Sequence, residues 1–297
     1  MPASLSGMRQ RLISAAVLVP VVFIVFLAGQ PWLNLGIALL AVAAAYETSQ
    51  LLRRAGLQVE TWLAVAAPIL AVLLFEIVIR PGGLEFGWLL IAPVIALWLI
   101  VAALPGLRHD DPGQGSRAWI GTVFAGFYPS LLAFAAGVAL VTAGMQVATL
   151  TLGLLDVGRA WLLVLVATVW TLDSAAYVAG RYHGRGRFMN HISPNKTWSG
   201  VVGGTLAAVV VCAALVWTIF GELPWWGAML GLLIAAAAQA GDLAESMLKR
   251  AAGVKDSGTL IPGHGGILDR IDSFLFAAPA LYTAVVVAGL LHAGGVP

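Results

Sequence analysis

Long apolar runs recur along the whole sequence and constrain its fold more than any other feature. A helix of about 20 residues, rising about 1.5 Å per residue, crosses the roughly 30 Å hydrocarbon core of a bilayer. The runs predict membrane spans near residues 12–29, 32–52, 62–80, 86–104, 119–142, 161–180, 201–220, 225–241 and 274–292. We therefore expect an all-α, polytopic integral membrane helix bundle of about nine transmembrane helices.

The composition excludes a water-soluble globule of this size. Of the 297 residues, 60% are hydrophobic and only 10% are charged. Lipid must therefore cover most of the surface. No small-residue cleavage site follows the first run, so we expect it to remain as a helix. The net charge of +2 indicates no particular partner, and we expect no nucleic-acid partner.

The distribution of basic residues predicts the orientation in the membrane. If the N-terminus is cytoplasmic, all but two of the 16 Lys and Arg residues lie on the cytoplasmic side, the exceptions being Arg80 and Arg159. Such an excess is what the positive-inside bias produces. We therefore expect a multi-pass protein of the cell (inner) membrane with a cytoplasmic N-terminus.

The two halves of the chain differ in their polar segments. Residues 1–160 hold about five predicted helices joined by short loops. Residues 161–297 also contain two long polar cytoplasmic segments, 181–200 and 242–273, rich in Gly, Lys, Arg and Asp. These segments are too short to fold separately, so we expect one structural unit. Because loops often carry function, we place the active site in this C-terminal part, facing the cytoplasm.

The stretch GDLAESMLKRAAGVKDSGTLIPGHGGILDRIDS, residues 241–273, gathers carboxylates and cations beside a membrane span. A helix should restart at about Ile267, which places Asp269 and Asp272 three residues apart on one face. Carboxylates are ligands that Mg²⁺ prefers, with water and substrate phosphates completing its shell. Asp242, Asp269 and Asp272 thus predict a metal site for a nucleotide polyphosphate.

Cations flank these carboxylates in the sequence and could bind phosphoryl oxygens. They are Lys249, Arg250, Lys255 and Arg270. The alternative interpretation is a basic, solvated loop with structural ion pairs. His264 could act as a general acid, as a donor to phosphate or as a loop-fixing hydrogen-bond partner.

The other polar segment contains Ser193, Lys196 and Thr197. We expect these residues either to bind the phosphate of a nucleotide or lipid, or to form a turn and a helix cap. Asp173, at the end of the sixth span, either hydrogen-bonds Tyr177 one turn later or acts as a ligand.

The order of residues in these segments resembles the phosphatidate cytidylyltransferase family. Residues 246–272 match its signature at Ser, Lys-Arg, Lys-Asp, His-Gly-Gly and Asp-Arg-x-Asp, and residues 193–197 match its Ser-Pro-x-Lys-Thr element. A pattern with this many specified positions is far more specific than a lone glycine motif. The chain departs from the family at Ser199, where Glu is common, and at His183, where an aromatic residue is usual.

The resemblance implies that the chain joins CTP and phosphatidate from the inner leaflet into CDP-diacylglycerol, releasing pyrophosphate. It implies a Mg²⁺ cofactor aided by K⁺, and a homodimer. We expect catalytic roles for Asp242, Asp269, Asp272, His264 and Lys249. We expect substrate binding by Ser193, Lys196, Thr197, Arg250, Lys255 and Arg270. Glu47, in the second span, resembles a polar family position or forms a helix-bundle contact.

Two other function classes fit parts of the pattern. One is a CTP-dependent enzyme acting on another membrane lipid, such as an isoprenoid alcohol kinase or a CDP-archaeol-type synthase. The other is an ion-coupled transporter, which would place charge near the bilayer midplane and show related halves. Here the charges gather at one face and no internal repeat is visible, which favours the enzyme.

Overall fold

The computed structural model describes residues 5–79, 87–143, 155–184 and 186–293, and this part of the chain contains helices and two isolated β-bridges but no longer strand. Short 3-10 helices lie at Gly87–Leu90 and Gly106–Arg108. The α-helices are α1 (Leu5–Ala28), α2 (Trp32–Arg54), α3 (Thr61–Ile79), α4 (Ile91–Ala103), α5 (Pro112–Ser130), α6 (Ala133–Val141), α7 (Val157–His183), α8 (Trp198–Phe220), α9 (Pro224–Ala251) and α10 (Leu268–Ala293).

Eight helical stretches in the described residues are long and apolar enough to cross a bilayer. The stretch Pro112–Val141 combines α5 and α6, and the first predicted span falls in α1, whose described apolar part, Ala16–Ala28, is shorter. These helices confirm the predicted all-α polytopic membrane fold. Arg80 and Arg185 lie outside the described residues.

The last two spans belong to helices longer than their apolar runs. Helix α9 continues ten residues past the predicted end at 241, and α10 begins at Leu268, six residues before the predicted start at 274. Both extensions carry polar residues on regular helix. In the α9 extension, Glu, Lys, Arg, Leu and Met have high helix propensity. The predicted restart of the helix near Ile267 is confirmed.

The chain divides into two compact units, each with its own packing. The first unit comprises residues 1–78, 84–133 and 248–271, and the second comprises 79–83, 134–247 and 272–297. One segment near the C-terminus, 248–271, therefore belongs to the unit that holds the N-terminal helices. The predicted functional division at residue 160 stays a prediction.

Within the first unit, α2 packs against α5. A cluster of buried apolar side chains joins them with the segment that follows α2: Leu52, Val59, Ala64 and Ala125, with Leu57 and Leu248 packed on it. Close approach is possible because α5 carries Gly121, where a Cβ atom would lie 2.8 Å from the Gln58 carbonyl oxygen.

Within the second unit, small residues let α7, α8 and α9 approach closely. A Cβ at Gly204 of α8 would lie 2.7 Å from the Leu172 carbonyl oxygen of α7. A Cβ at Gly231 of α9 would lie 2.8 Å from Cys212 Cβ of α8. Helices in lipid associate by such close packing, because no hydrophobic effect drives them together there.

We predict that Gly204→Ala destabilises the protein although alanine is the better helix former. The added methyl group would press on the α7 backbone, and overpacking typically costs about 1–3 kcal/mol. Gly289→Ala is the matched control, because nothing lies within 4 Å of a Cβ at that position of α10. Thermal unfolding in detergent should show a lowered midpoint for Gly204→Ala alone; equal midpoints would contradict the packing described here.

Candidate active site

A cavity of about 590 Å³ opens in the second unit between α7, α8, α9 and the segment that precedes α8. Apolar residues form part of its wall, but polar groups converge on it from three elements. These are Asp173, Tyr177, Arg181, Asn195, Lys196, Thr197, Gln239 and Asp242. A concave site with a few convergent polar groups is the usual form of a small-molecule site.

Helix α7 supplies one polar face of this cavity. Asp173, Tyr177 and Arg181 follow one another at intervals of four residues, so they share a side of the helix. The Arg181 guanidinium donates a hydrogen bond to the Tyr177 hydroxyl oxygen at 2.9 Å. Tyr177 is thereby engaged by Arg181.

An ion pair links the two other polar walls. Lys196 Nζ lies 2.7 Å from Asp242 Oδ2, and both side chains are partly exposed. A hydrogen bond also fixes the Lys196 backbone, because its carbonyl oxygen accepts from the Phe188 N–H at 2.8 Å. Two predicted site residues, Lys196 of the polar segment and Asp242 of α9, are therefore brought together by the tertiary structure.

Thr197 and Ser193 take local structural positions beside the cavity. The Thr197 hydroxyl caps α8 by accepting from the Gly200 N–H at 3.1 Å. Ser193 lies in a turn, where its N–H donates to the Met189 carbonyl oxygen at 2.9 Å. The cap-and-turn interpretation holds for both, and Thr197 also lines the cavity.

Helices α9 and α10 touch beside Asp242. A Cβ at Gly241 would collide with the Asp272 carbonyl oxygen and lie 3.3 Å from Ser273 Cα. Asp242 and Asp272 thus lie on helices whose backbones are in contact. The Asp272 carboxylate accepts from the Ser273 N–H at 2.7 Å.

In the first unit, the Asp269 carboxylate organises the loop that joins α9 to α10. Lys249 Nζ lies 2.8 Å from its Oδ1. Its Oδ2 accepts from the Ser257 N–H, the Ser257 hydroxyl and the Gly266 N–H, each at 2.9 Å. Both members of the Lys249–Asp269 pair are largely buried, so the predicted alternative of a structural ion pair holds for them.

The remaining predicted residues, in this loop and in the helix turns that flank it, differ in the contacts they make. His264 Nδ1 lies 2.8 Å from the Ser14 hydroxyl oxygen, and the Arg270 guanidinium donates to the His264 carbonyl oxygen. Arg250 reaches the Val254 carbonyl oxygen at 3.4 Å, and Lys255 is exposed. Of the three roles considered for His264, its contact with Ser14 supports the loop-fixing one.

The carboxylates of the chain are the candidate donors for a metal ion. Within the described ranges, no group of three or more His, Cys, Asp or Glu side chains is arranged to hold a metal ion. Mg²⁺ often takes only one or two carboxylates, with water and substrate phosphates as its other ligands. Asp173 and Asp242 line one cavity and provide donors of that kind. The metal role of Asp242, Asp269 and Asp272 stays a prediction.

Several cavity residues were not among the predicted site residues. Gln239 and Asn195 carried no signal, because amides occur throughout polar segments and helix ends. For Arg181 the signal was its spacing of four and eight residues from Tyr177 and Asp173, which marks one polar stripe on an otherwise apolar helix.

The chain belongs to the cytidylyltransferase family, whose model matches residues 9–288. This match covers most of the chain and confirms the family resemblance of its two polar segments.

Relatives in this family carry a more particular name. Proteins named phosphatidate cytidylyltransferase are 50% identical over 123 residues in Synechocystis sp., 48% over 126 residues in Brucella suis and 42% over 128 residues in Bacillus subtilis. The aligned segments cover 40%, 42% and 42% of this chain and 41%, 46% and 47% of those relatives. The chain thus matches less than half the length of these curated relatives.

We predict that Lys249 and Asp269 stabilise the protein as a pair. Replacing one member leaves the other charge buried, which typically costs about 3–5 kcal/mol. Asp269→Asn and Lys249→Met should therefore each lower the unfolding midpoint in detergent. The double variant should lose less stability than the two single variants lose together, with a coupling energy of roughly 0.5–3 kcal/mol. Strictly additive losses would show that the two groups act independently.

Proposed function

We propose that this protein is a phosphatidate cytidylyltransferase that transfers CMP from CTP to phosphatidate, giving CDP-diacylglycerol and pyrophosphate in phospholipid biosynthesis. The observation that carries the proposal is the polar cavity with its Lys196–Asp242 pair, set among membrane-spanning helices of a cytidylyltransferase-family chain. The names of its relatives support phosphatidate as the lipid substrate.

The reaction is an in-line displacement at phosphorus. A phosphate oxygen of phosphatidate forms a bond to the α-phosphorus of CTP, the bond from that phosphorus to the α,β-bridging oxygen breaks, and pyrophosphate leaves with the electron pair. A phosphate monoester is already mostly ionised near pH 7, so the attacking oxygen needs little help from a base. The main barrier is the repulsion between two anionic reactants.

The cations of the chain would offset that repulsion. Lys196 and Arg181 line the cavity and are suited to phosphoryl oxygens. Ser193 and Thr197 would position the substrates next to them. At the end of α9, in the loop that follows and at the start of α10, predicted roles towards the phosphates are proposed for Lys249, Arg250, Lys255, His264 and Arg270.

Magnesium would supply charge neutralisation for the triphosphate and for the departing pyrophosphate. Asp242, Asp269 and Asp272 are the proposed ligands, on the strength of the family signature and the hard carboxylate oxygens they provide. The resemblance also carries the proposals of a K⁺ ion at the site and of a homodimer.

The proposed orientation places the N-terminus and the active site on the cytoplasmic side of the cell (inner) membrane. The basic residues support it, since almost all of them fall on one side of the predicted topology. CTP would then enter from the cytosol while phosphatidate remains in the inner leaflet.

We predict that Asp242→Asn lowers CDP-diacylglycerol formation at least a hundredfold. The change removes a carboxylate from the cavity wall and breaks its pair with Lys196, and groups that stabilise transition-state charge typically contribute about 10²–10³ in rate. Purified protein would be supplied with CTP and phosphatidate in mixed micelles with Mg²⁺, and product would be measured from labelled CTP.

Glu222→Gln is the matched control for this assay, because Glu222 precedes α9 at the end away from Asp242 and does not line the cavity. Its turnover should equal that of the unaltered protein. The unaltered protein would also be tested with an isoprenoid alcohol and with an archaeal-type ether lipid phosphate. If it turned over one of these and not phosphatidate, phosphatidate would be wrong as the proposed lipid substrate. Normal turnover by Asp242→Asn would show that the Asp242 carboxylate is not needed for the reaction.

We predict that Lys255→Cys and Leu223→Cys are labelled from opposite sides of the membrane. Lys255 is exposed in a segment that the proposed orientation assigns to the cytoplasm, and Leu223 is exposed just before α9, which the same proposal assigns to the other side. In intact cells a membrane-impermeant maleimide should label Leu223→Cys and not Lys255→Cys. The native Cys212 is buried, so its background should be low. The reverse pattern would invert the proposed orientation.

A further inference from the structure

The Glu47 side chain of α2 is 2% exposed, yet its contacts are polar and lie far away in the sequence. Glu47 Oε2 accepts a hydrogen bond from the Leu268 N–H at 2.8 Å, and the Ser257 hydroxyl oxygen lies 3.1 Å from it. Leu268 is the first residue of α10, whose opening N–H groups have no partner within the helix. The carboxylate therefore caps α10 from another helix.

The loop is shaped to admit this carboxylate. A Cβ atom at Gly258 would collide with Glu47 Oε1, and a Cβ at Gly266 would collide with Oε2 and with the Ser257 hydroxyl. These glycines lie on both sides of the loop's turn. The loop between α9 and α10 thus closes around the end of one side chain.

Ser257 connects Glu47 with Asp269. Its hydroxyl oxygen lies 3.1 Å from Glu47 Oε2, 2.9 Å from Asp269 Oδ2 and 3.3 Å from the Asp269 N–H nitrogen. A hydroxyl has a single proton to donate, so its position is set jointly by the two carboxylates. A displacement of Glu47 would therefore be transmitted to Asp269 in one step.

A simple bundle contact does not account for this arrangement. In the described part of the chain, Glu47 Oε1 is buried and has no hydrogen-bond partner. Burying a carboxylate with incomplete hydrogen bonding costs stability, and an amide or apolar residue would cost less. Among the described residues, the hydrogen-bond partners of Glu47 lie in the loop and at the start of α10, rather than along a neighbouring helix face.

We infer that Glu47 is a positioning residue for the reaction: it holds residues 257–268 so that the Asp269 carboxylate and the start of α10 keep a fixed place. This inference rests on the proposed cytidylyltransferase activity. Glu47 acts through Ser257 and the α10 backbone and does not touch substrate.

The test compares Glu47→Gln, Ser257→Ala and the double variant in the full-length protein. Glutamine keeps an oxygen acceptor of the same size but removes the charge. Loss of a residue that hydrogen-bonds to a metal ligand, without itself binding the metal, typically lowers activity about 10–100-fold. The kcat should therefore fall about tenfold to hundredfold in each single variant. Glu47 acts on Asp269 through Ser257, so removing both groups breaks the same chain of contacts. The kcat of the double variant should therefore be little lower than that of the more impaired single variant.

Thr48→Val is the matched control. Thr48 is the next residue in α2 and is also buried, but within the described chain its hydroxyl donates to the Ala44 carbonyl oxygen of its own helix and to no other group. Its kcat should equal that of the unaltered protein, and its combination with Glu47→Gln should change nothing further.

Hydrogen exchange provides a readout that is independent of activity. At a temperature where all variants are folded, amides of residues 257–268 should exchange faster in Glu47→Gln than in Thr48→Val. Unchanged kcat together with unchanged exchange in Glu47→Gln would overturn the inference, as would multiplicative losses in the double variant. If Glu47→Gln does not fold, Ser257→Ala decides: an unaltered kcat overturns the inference, and a reduced kcat supports it.

The same measurements separate this inference from the proposed function. If the unaltered protein makes no CDP-diacylglycerol, the proposed activity fails. Exchange in Glu47→Gln then still decides whether Glu47 holds the loop.

Discussion

A bilayer core offers no hydrogen-bond partners, and this constraint governs the rest of the molecule. Backbone groups must be satisfied within helices, which explains why apolar helices dominate the described chain. It also limits where polar side chains can lie. Each one that enters the protein needs a partner from the protein itself.

Each compact unit meets this requirement with a Lys–Asp pair. Lys196 pairs with Asp242 beside the cavity of the second unit, where both side chains remain partly exposed. Lys249 pairs with Asp269 in the first unit, where both are largely buried and the loop amides add further hydrogen bonds. The partly exposed pair borders the cavity, and the buried pair holds its loop in place.

The fold class and the polar segments could be read from composition, run length and the order of residues in the signature. The start of α10 was predictable because the glycine-rich run ends where an apolar period resumes. The roles of individual residues were less accessible. Asp269 reads as a metal ligand in the sequence, but its fixed partners in the loop also give it a structural task.

By itself the sequence determined that the chain is a helical membrane protein of this family, because hydrophobic length and a long ordered motif are local properties of the chain. Only the tertiary structure decided which polar groups meet. Glu47 and Ser257 are 210 positions apart, and no local pattern relates them. Their contact depends on glycines at which a Cβ would collide with the carboxylate, which is a property of packed backbone rather than of residue order.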